Sequence, residues 1–309
     1  MDPLLPLLAV LLDFCFRDAE PWPHPVRLVG WLLDHLEEQA RNQKRVSLYR
    51  AGWISLFLLC LITGTIAWIA ISIPFLGLIL AVYLAYSGLS LAGLLAEVKH
   101  ISGLVDAGRE SEAKTALGLL VSRDTSLLDR DGIYRTLAET VSENLNDGFV
   151  APMFYLLLGG PVLLWIYKAV STMDSMWGYQ TPEWGELGYA GAKTEDVLSA
   201  IPARITYVLA VIAAFILRLS WRNVFLRSPG QARRMESPNA GWPMAACAWA
   251  VGARMGGEAV YFGQLRQKPS LGPDEGEWTK KAIQSLFRLS LIIGLVWTVL
   301  GVAVLWMAS

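Results

Sequence analysis

Three long apolar stretches without a charged side chain constrain the fold of this chain more than any other feature. They are residues 52–73, 75–96 and 289–308. A helix that crosses the hydrocarbon core of a bilayer needs about 20 apolar residues, and each stretch meets that length. Pro74 separates the first two stretches, which predicts the turn of a helical hairpin. We therefore predict an all-α, polytopic integral membrane protein with a helical hairpin and a C-terminal transmembrane helix.

The composition agrees with a membrane protein and argues against several other classes. Apolar residues make up 54% of the chain and charged residues 17%, against about 25% charged in soluble domains. The 26 basic and 27 acidic side chains leave a net charge of −1, so we expect no nucleic-acid partner held by bulk positive charge. The three cysteines are widely separated, which predicts neither a disulfide framework nor a zinc site.

Three further apolar segments leave two alternatives open. Residues 3–12 stop at Asp13, residues 149–167 are broken by Gly159-Gly160-Pro161, and residues 205–217 lie between Arg204 and Arg218. Short or broken runs of this kind form re-entrant or protein-buried helices as readily as they cross a bilayer. The number of crossings therefore stays open between three and a larger number.

Lys and Arg mark the cytoplasmic segments of a membrane protein. Segments 17–51, 97–148 and 222–288 are rich in both, which predicts large cytoplasmic helical segments and a C-terminal helix that ends outside. Segment 168–204 carries few cations, so charge counting alone places it outside. With neither an internal repeat nor a low-complexity linker, residues 1–309 are interpreted as a single membrane-embedded domain.

A stripe of carboxylates is the first candidate site. A helix is predicted from Asp129 to Asn144, and Glu139, Glu143 and Asp147 would share one face of it if the helix continues that far. Like charges one turn apart repel, and a bound Mg²⁺ would offset that repulsion. The alternative is a solvated helix face that happens to be acidic.

Two other polar segments, around Asp174 and around Ser237-Pro238-Asn239, each have a functional and a structural interpretation. Asp174 lies among hydroxyl side chains and could hold a metal or cap a helix. The Ser237-Pro238-Asn239 turn precedes a helix predicted from Met244, whose N-terminus would suit an anion, although a plain turn is the alternative. Beyond it, Gly252-x-x-x-Gly256 has the spacing of close helix packing.

His24 stands between two prolines, in a segment that these rings hold extended. It is interpreted either as a substrate contact or as a structural residue.

Taken in order, a series of short motifs resembles the cobalamin-biosynthesis family called CobD or CbiB, the adenosylcobinamide-phosphate synthases. The motifs are Pro23-His24-Pro25-Val26-Arg27, Arg123-Asp124, Glu143-Asn144-x-x-Asp147-Gly148, Thr172-x-Asp174-Ser175-Met176, Asp196-Val197-Leu198, Ile201-Pro202-Ala203-Arg204, Ser237-Pro238-Asn239-Ala240-Gly241, Tyr261-Phe262-Gly263 and Lys268-Pro269.

The chain also departs from the family pattern. Ala19 replaces the usual Pro of Gly-Asp-Pro, Ser171 replaces an Asn, Lys193 replaces an Arg, and Met244 stands where a carboxylate is usual. Met244 is the departure that keeps neither charge nor hydrogen bonding, which puts the role of that position in doubt.

The resemblance implies an ATP-dependent amide-bond formation, in which adenosylcobyric acid is joined to aminopropanol or its phosphate to give adenosylcobinamide phosphate. It implies ATP and Mg²⁺ as cofactors, and it assigns catalysis to Glu143, Asp147 and Asp174. The same three carboxylates together with Glu139 would hold the metal. The residues implied in binding substrate or nucleotide are His24, Arg27, Arg123, Asp124, Asn144, Ser175, Asp196, Arg204, Ser237, Asn239 and Tyr261.

The resemblance also carries expectations about surroundings. The partners would be a corrinoid, an amino alcohol, the lipid bilayer and other cobalamin-pathway membrane proteins. The location would be a bacterial inner membrane, with the active site facing the cytoplasm. Because ATP is cytoplasmic, this chemistry places segment 168–204 inside, against the charge count.

Two other functions remain as alternatives. One is a non-enzymatic membrane sensor resembling the AmpE proteins, which the departures favour and the retained polar motifs oppose. The other is a transporter, which broken helices suit and the lack of inverted repeats opposes.

Overall fold

The computed structural model of the chain describes residues 2–17, 24–43, 45–261 and 264–308, and the side chains of Tyr261 and Gln264 are outside that description. Ala19, Pro23, Phe262 and Gly263 of the motifs therefore lie outside the described residues. The elements, in chain order, are α1 (Leu5–Phe16), α2 (Pro25–Asn42), α3 (Leu48–Ser72), α4 (Gly77–Ser87), α5 (Leu91–Asp106), α6 (Glu110–Gly118), α7 (Arg130–Leu145), a π-helical turn (Asn146–Val150), α8 (Ala151–Trp177), α9 (Tyr189–Leu198), α10 (Ala200–Ile216), α11 (Trp221–Ala232), α12 (Gly241–Val251), β1 (Met255–Tyr261), β2 (Gln264–Leu271) and α13 (Lys280–Ala308).

The described residues form two compact units, and the first consists of Met1–Ser90, Ala151–Ser199 and Thr298–Ser309. Its centre is the pair α3 and α8, with α9 packed against both helices. The helix α3 approaches the segment just before α9 closely, because Gly52 faces the backbone of Leu187. A Cβ at position 52 would lie 2.3 Å from the Leu187 carbonyl oxygen. The helix α1 packs on α4, and Tyr86 Oη donates a hydrogen bond to the Arg17 carbonyl.

The second unit consists of Leu91–Val150 and Ala200–Trp297. Its centre is α12, whose alanine-rich sequence lets α7, α10 and α11 pack closely around it. The strands β1 and β2 form an antiparallel hairpin that packs on α12, with β1 also against α7 and β2 also against α11. The hairpin therefore lies beside the helix that carries the predicted carboxylate stripe.

The predicted class is confirmed, since every regular element of the described residues is helical apart from this one hairpin. Within the described ranges, four helical stretches are long and apolar enough to cross a membrane, and a fifth is reached if Tyr189–Leu198 and Ala200–Ile216 count as one bent span. The four stretches are Leu48–Ser72, Gly77–Asp106, Arg130–Trp177 and Lys280–Ala308. The number of actual crossings stays a prediction.

The boundaries of the predicted spans need correction. The hairpin turn at Pro74 is confirmed, because α3 ends at Ser72 and α4 begins at Gly77. The second stretch is not one helix, however, since residues 88–90 separate α4 from α5. The C-terminal helix begins at Lys280, before position 289, because charge density marks the edge of an apolar run and not the start of a helix.

The predicted break in residues 149–167 is confirmed. Within α8, Gly159 and Gly160 have non-helical backbones, and Gly160 has a φ of 66° and a ψ of −163°. Only glycine adopts that region easily, and the ring of Pro161 would clash with the preceding turn of a regular helix. In contrast, α1 does not stop at Asp13, as the sequence suggested, because Asp13 is buried and the helix continues to Phe16.

The glycine pair that suggested helix packing has a different role. Gly252 ends α12 with a φ of 81°, and Gly256 lies in β1 with a φ of 83°. The interpretation of Gly252-x-x-x-Gly256 as a helix-packing spacing is therefore wrong. Both positions use the left-handed backbone region, which favours glycine, and Gly256 lies at an irregularity in the strand pairing.

Candidate active site

The helix α7 carries the predicted carboxylate stripe, and its formation follows from its sequence. Asp129 accepts a hydrogen bond from the Gly132 N–H at 2.8 Å, which caps the first turn. Leu137, Val141 and Leu145 are fully buried, so the helix faces the core with these side chains. The carboxylates then emerge along other sides of the same helix.

The stripe does not stay in one environment. Glu139 is buried, Glu143 is exposed and Asp147 is intermediate. For Asp147 the reason lies in the backbone, because α7 ends at Leu145 and passes into the π-helical turn Asn146–Val150. A π turn inserts one residue per turn, which rotates Asp147 away from the position that a regular helix would give it.

Glu139 is engaged on both carboxylate oxygens. Arg123 Nη2 donates to Oε2 at 2.5 Å, and the Gly256 N–H donates to Oε1 at 2.8 Å. The second guanidinium nitrogen of Arg123 donates to Thr136 Oγ1 at 2.8 Å. Glu139 as a metal ligand and Arg123 as a phosphate ligand stay predictions, but the structure has the two side chains binding each other.

Glu143 lies within electrostatic range of a lysine and of two other carboxylates. Glu143 is acted on by the charges of Asp147, Glu139 and Lys268. Lys268 lies on β2, directly opposite Gly257 of β1. Gly257 follows Gly256, whose N–H donates to Glu139. The hairpin therefore brings a cation to Glu143, a contribution that the sequence analysis named in a motif but did not assign to the site.

Asn146 is a buried residue that the sequence analysis missed. Its Nδ2 donates to Asp147 Oδ1 at 2.7 Å, and its Oδ1 accepts from Thr206 Oγ1 at 2.9 Å. These bonds orient the Asp147 carboxylate and tie α10 to the π turn. The available signal was its place inside the Glu143-Asn144-x-x-Asp147 motif, where it was treated as a spacer. Asn144, which was predicted to bind, is exposed.

Divalent metal binding fits part of the predicted ligand set. Among the residues that the structure describes, no group of three or more His, Cys, Asp or Glu side chains is arranged to hold a metal ion. Mg²⁺ commonly takes one or two protein carboxylates and completes its shell with phosphate oxygens and water. Glu143 and Asp147 suit that arrangement, whereas both oxygens of Glu139 are already bonded.

A second polar group forms where α10 meets the Ser237–Asn239 turn. Arg204 Nη1 donates to Asn239 Oδ1 at 2.7 Å, and the guanidinium lies 4.8 Å from the centroid of the Trp242 ring. Ser237 Oγ accepts hydrogen bonds from the N–H groups of Asn239 and Ala240 at 3.2 and 3.1 Å. The predicted turn is confirmed, but α12 begins at Gly241 and not at Met244.

Asp124, another predicted residue, follows the buried Arg123 in the chain. Asp124 is exposed, and hydrogen bonds donated by Ser126 lower the pKa of its carboxyl. Its backbone N–H donates to the Val260 carbonyl at 2.9 Å, which ties the chain after Arg123 to β1. The side chain of Tyr261 lies outside the described residues.

The remaining predicted residues belong to the first unit. His24 caps α2 by accepting from the Val26 N–H at 3.3 Å, and its ring lies edge-on to Trp165. Arg27 is exposed on α2. Asp174 and Ser175 lie in the last turns of α8, so Asp174 does not occupy an N-cap position. Asp196 on α9 accepts a hydrogen bond from Lys193 Nζ at 3.0 Å.

Comparison with known proteins gives a family assignment. Residues 6–290 match the family described as CobD/Cbib protein. The chain belongs to this family. It is 36% identical over 295 residues to the cobalamin biosynthesis protein CobD of Clostridium perfringens, covering 94% of this chain and 93% of the relative. It is 38% identical over 272 residues to the CobD of Geobacter metallireducens, covering 86% and 85%. No solved structure matches the chain.

As a CobD/Cbib family member, this chain accommodates two of its departures in ways that the structure explains. Met244 is buried in α12 among alanines, where an apolar side chain packs without a polar partner. Lys193 keeps an ion pair with Asp196. Both changes therefore fit their surroundings in this member.

Proposed function

We propose that this protein is an enzyme of cobalamin biosynthesis that joins a carboxylate of adenosylcobyric acid to aminopropanol or its phosphate, with consumption of ATP, to give adenosylcobinamide phosphate. Family membership over residues 6–290 supports the pathway. The observation that carries the enzymatic proposal is the grouping of Glu143, Asp147 and Lys268 on one framework of the second unit. A sensor would not need carboxylates and a cation brought together from a helix and a separate hairpin.

The residues suit this chemistry. ATP bound with Mg²⁺ supplies the activation that an unreactive carboxylate needs before an amine can replace one of its oxygens. Glu143 and Asp147 would hold the cation, and Asn146 would keep the Asp147 carboxylate oriented towards it. Lys268 would balance negative charge on the oxygens that approach these carboxylates.

The Arg204 group would bind a phosphate or an amide of the substrates. The Asn239 bond at 2.7 Å and the Trp242 ring hold the guanidinium in one orientation, and a fixed guanidinium recognises an anion with two parallel hydrogen bonds. Arg233 adds positive charge close enough to act on Arg204. This local charge favours the phosphate of the amino alcohol over a neutral group.

The proposed location is a bacterial inner membrane with the site on the cytoplasmic side. The residues of both groups come from segments 97–148 and 222–288, which are rich in Lys and Arg, and from the start of α10. Cytoplasmic placement gives the site access to ATP and follows the charge rule.

The test is turnover by the purified protein in lipid nanodiscs with adenosylcobyric acid, aminopropanol phosphate and Mg²⁺–ATP, followed by mass spectrometry of the corrinoid. We expect product from the wild type and loss of at least about a hundredfold in kcat for Asp147→Asn, since the loss of a metal or charge-stabilising ligand costs a few kcal/mol. Glu112→Gln is the matched control, because that carboxylate is exposed on α6 and bonded to Arg109.

Two outcomes would contradict the proposal. Full activity of Asp147→Asn would return the carboxylates to a solvated surface. A folded wild type that makes no product with any amino alcohol, while still binding the corrinoid, would favour the sensor.

A further inference from the structure

The helices α5 and α13 pack antiparallel over several turns. Asp106 Oδ2 lies 2.8 Å from Lys280 Nζ, and two turns further Lys99 Nζ lies 4.9 Å from the centroid of the Phe287 ring. Another two turns along, Leu91 lies over Gly294, where a Cβ would be 2.2 Å from Leu91 Cδ2. The three contacts advance by seven and then eight residues back along α5 and by seven and seven forward along α13, so they follow the two helices in opposite directions and are not a single chance contact.

A groove of about 430 Å³ opens along this pair of helices. A second cavity of about 660 Å³ adjoins it, shares Lys99 and Gly103, and adds His100 and Arg109. None of these residues belongs to the candidate active site. The polar and aromatic side chains that line the first groove are Lys99, Ser102, Asp106, Lys280, Gln284, Phe287 and Arg288.

The groove is positively charged. Lys99, Lys280 and Arg288 face it together with the carboxylate of Asp106. That carboxylate is already shared, because Lys280 Nζ, Tyr134 Oη and Arg130 Nη2 all lie within 3.4 Å of it. Asp106 is thus neutralised by Lys280 and Arg130. The positive charges of Lys99 and Arg288 then leave the groove with a net positive charge.

The cations stand at the predicted membrane surface. The apolar run 75–96 ends just before Lys99, and the run 289–308 begins just after Arg288. Both positions fall on the side predicted to be cytoplasmic. On α13 the exposed side chains of Leu295 and Val299 continue from Arg288 along the same side of the helix. A cationic groove is thus followed by apolar surface in the direction of the bilayer.

We propose that this groove binds the headgroup of an anionic phospholipid, with its phosphate between Lys99 and Arg288 and its acyl chains along the exposed apolar face of α13. Basic pockets between membrane helices on the cytoplasmic side suit such headgroups. The apolar continuation favours a lipid over a free anion, because a soluble phosphate would gain nothing from Leu295 and Val299. The inference rests on the membrane embedding of the chain and is independent of the proposed reaction.

The test compares lipid binding by the detergent-purified protein. Dioctanoyl-phosphatidylglycerol and dioctanoyl-phosphatidylcholine are titrated separately, and bound lipid is counted by native mass spectrometry. We expect the anionic lipid to bind the wild type about tenfold more tightly or better. The Lys99→Gln/Arg288→Gln variant should lose that preference while its affinity for phosphatidylcholine stays unchanged. Arg234→Gln/Arg266→Gln, which removes two exposed cations elsewhere in the second unit, should keep the preference.

Three results would overturn the proposal. One is equal binding of the two lipids by the wild type, which needs no variant. Another is an anionic preference that survives in the groove variant, or in Arg288→Gln alone if the double variant does not fold. The third is binding of inorganic phosphate or glycerophosphoglycerol as tightly as the lipid, which would assign the groove to a soluble anion.

Discussion

The buried ion pair between Arg123 and Glu139 gives the sharpest stability prediction. Its side chains are 6% and 5% exposed, and they also bond Thr136 and the Gly256 N–H. Glu139→Ala would leave a buried guanidinium without the carboxylate that faces it and a strand N–H without its acceptor. Removal of one member of a buried pair costs about 3–5 kcal/mol. We therefore expect Glu139→Ala to lower the free energy of unfolding by about that amount.

The exposed pair Arg109–Glu112 is a matched control, because its N···O distance of 2.5 Å equals that of the buried pair while its side chains are 56% and 57% exposed. An ion pair of the same geometry contributes little to the free energy of unfolding when it is exposed to water. Glu112→Ala should therefore leave that free energy nearly unchanged. Denaturant unfolding in detergent micelles, followed by tryptophan fluorescence, measures both variants. If the two variants unfold at the same denaturant concentration, burial does not decide the strength of these pairs and the reasoning fails.

A double-mutant cycle separates the pair from its surroundings. In Arg123→Met/Glu139→Leu both charges are replaced by apolar side chains of similar size, and no buried charge is left uncompensated. We expect the double variant to be more stable than Glu139→Ala, with the remaining loss coming from the Gly256 N–H. A double variant as unstable as the sum of the single changes would show that the two side chains act independently.

Three further predictions concern other parts of the chain. Asn239→Ala should raise KM for the phosphate-bearing substrate by an amount equivalent to about 1–3 kcal/mol, because Arg204 loses its orienting acceptor; an unchanged KM with lowered thermal stability would instead indicate packing. Burial raises the pKa of the Cys247 thiol to about 11, so at pH 8 the reactive thiolate is scarce and iodoacetamide should label a Cys15→Ser/Cys60→Ser variant only after unfolding, whereas rapid labelling of the native protein would refute the burial. A Gln180→Cys variant without other cysteines should resist an impermeant thiol reagent in intact cells and react in inverted vesicles, if segment 168–204 is cytoplasmic; labelling from outside would reject that placement.

The sequence predicts the helices well because apolar runs and capping residues act locally. The hairpin turn at Pro74, the start of α7 after its cap Asp129 and the break at Gly159-Gly160 all depend on residues within one or two turns of each other. The interruption between α4 and α5 was missed because residues 88–90 carry no charge, so they cannot be separated from their apolar neighbours by hydropathy. Their backbone is set by packing, since Gly88 lies against the Leu164 side chain.

The candidate site was harder to predict because its bonds join distant parts of the chain. The motifs named both Arg204 and Asn239, but spacing gives no sign that they bond each other across 35 positions. The same holds for Arg123 and Glu139, which were predicted to bind ligands but bond each other across 16 positions. Asn146 was overlooked because it stands as a spacer in the Glu143-Asn144-x-x-Asp147 motif, and its bond to Thr206 joins residues 60 positions apart.

The β-hairpin links the stability of the fold to the arrangement of the site. An isolated two-stranded hairpin is marginally stable in water, so β1 and β2 depend on what holds them. Two anchors act on β1, one from Glu139 to the Gly256 N–H and one from the Asp124 N–H to the Val260 carbonyl. The pairing of Gly257 with Lys268 carries that constraint to β2. Glu143 follows Glu139 by one turn of α7. The helix therefore fixes Glu143, which is close to the Lys268 charge, relative to Glu139, which binds β1. The Arg123-Asp124 and Lys268-Pro269 motifs are thus linked through the hairpin, because Asp124 bonds β1 and Lys268 lies on β2.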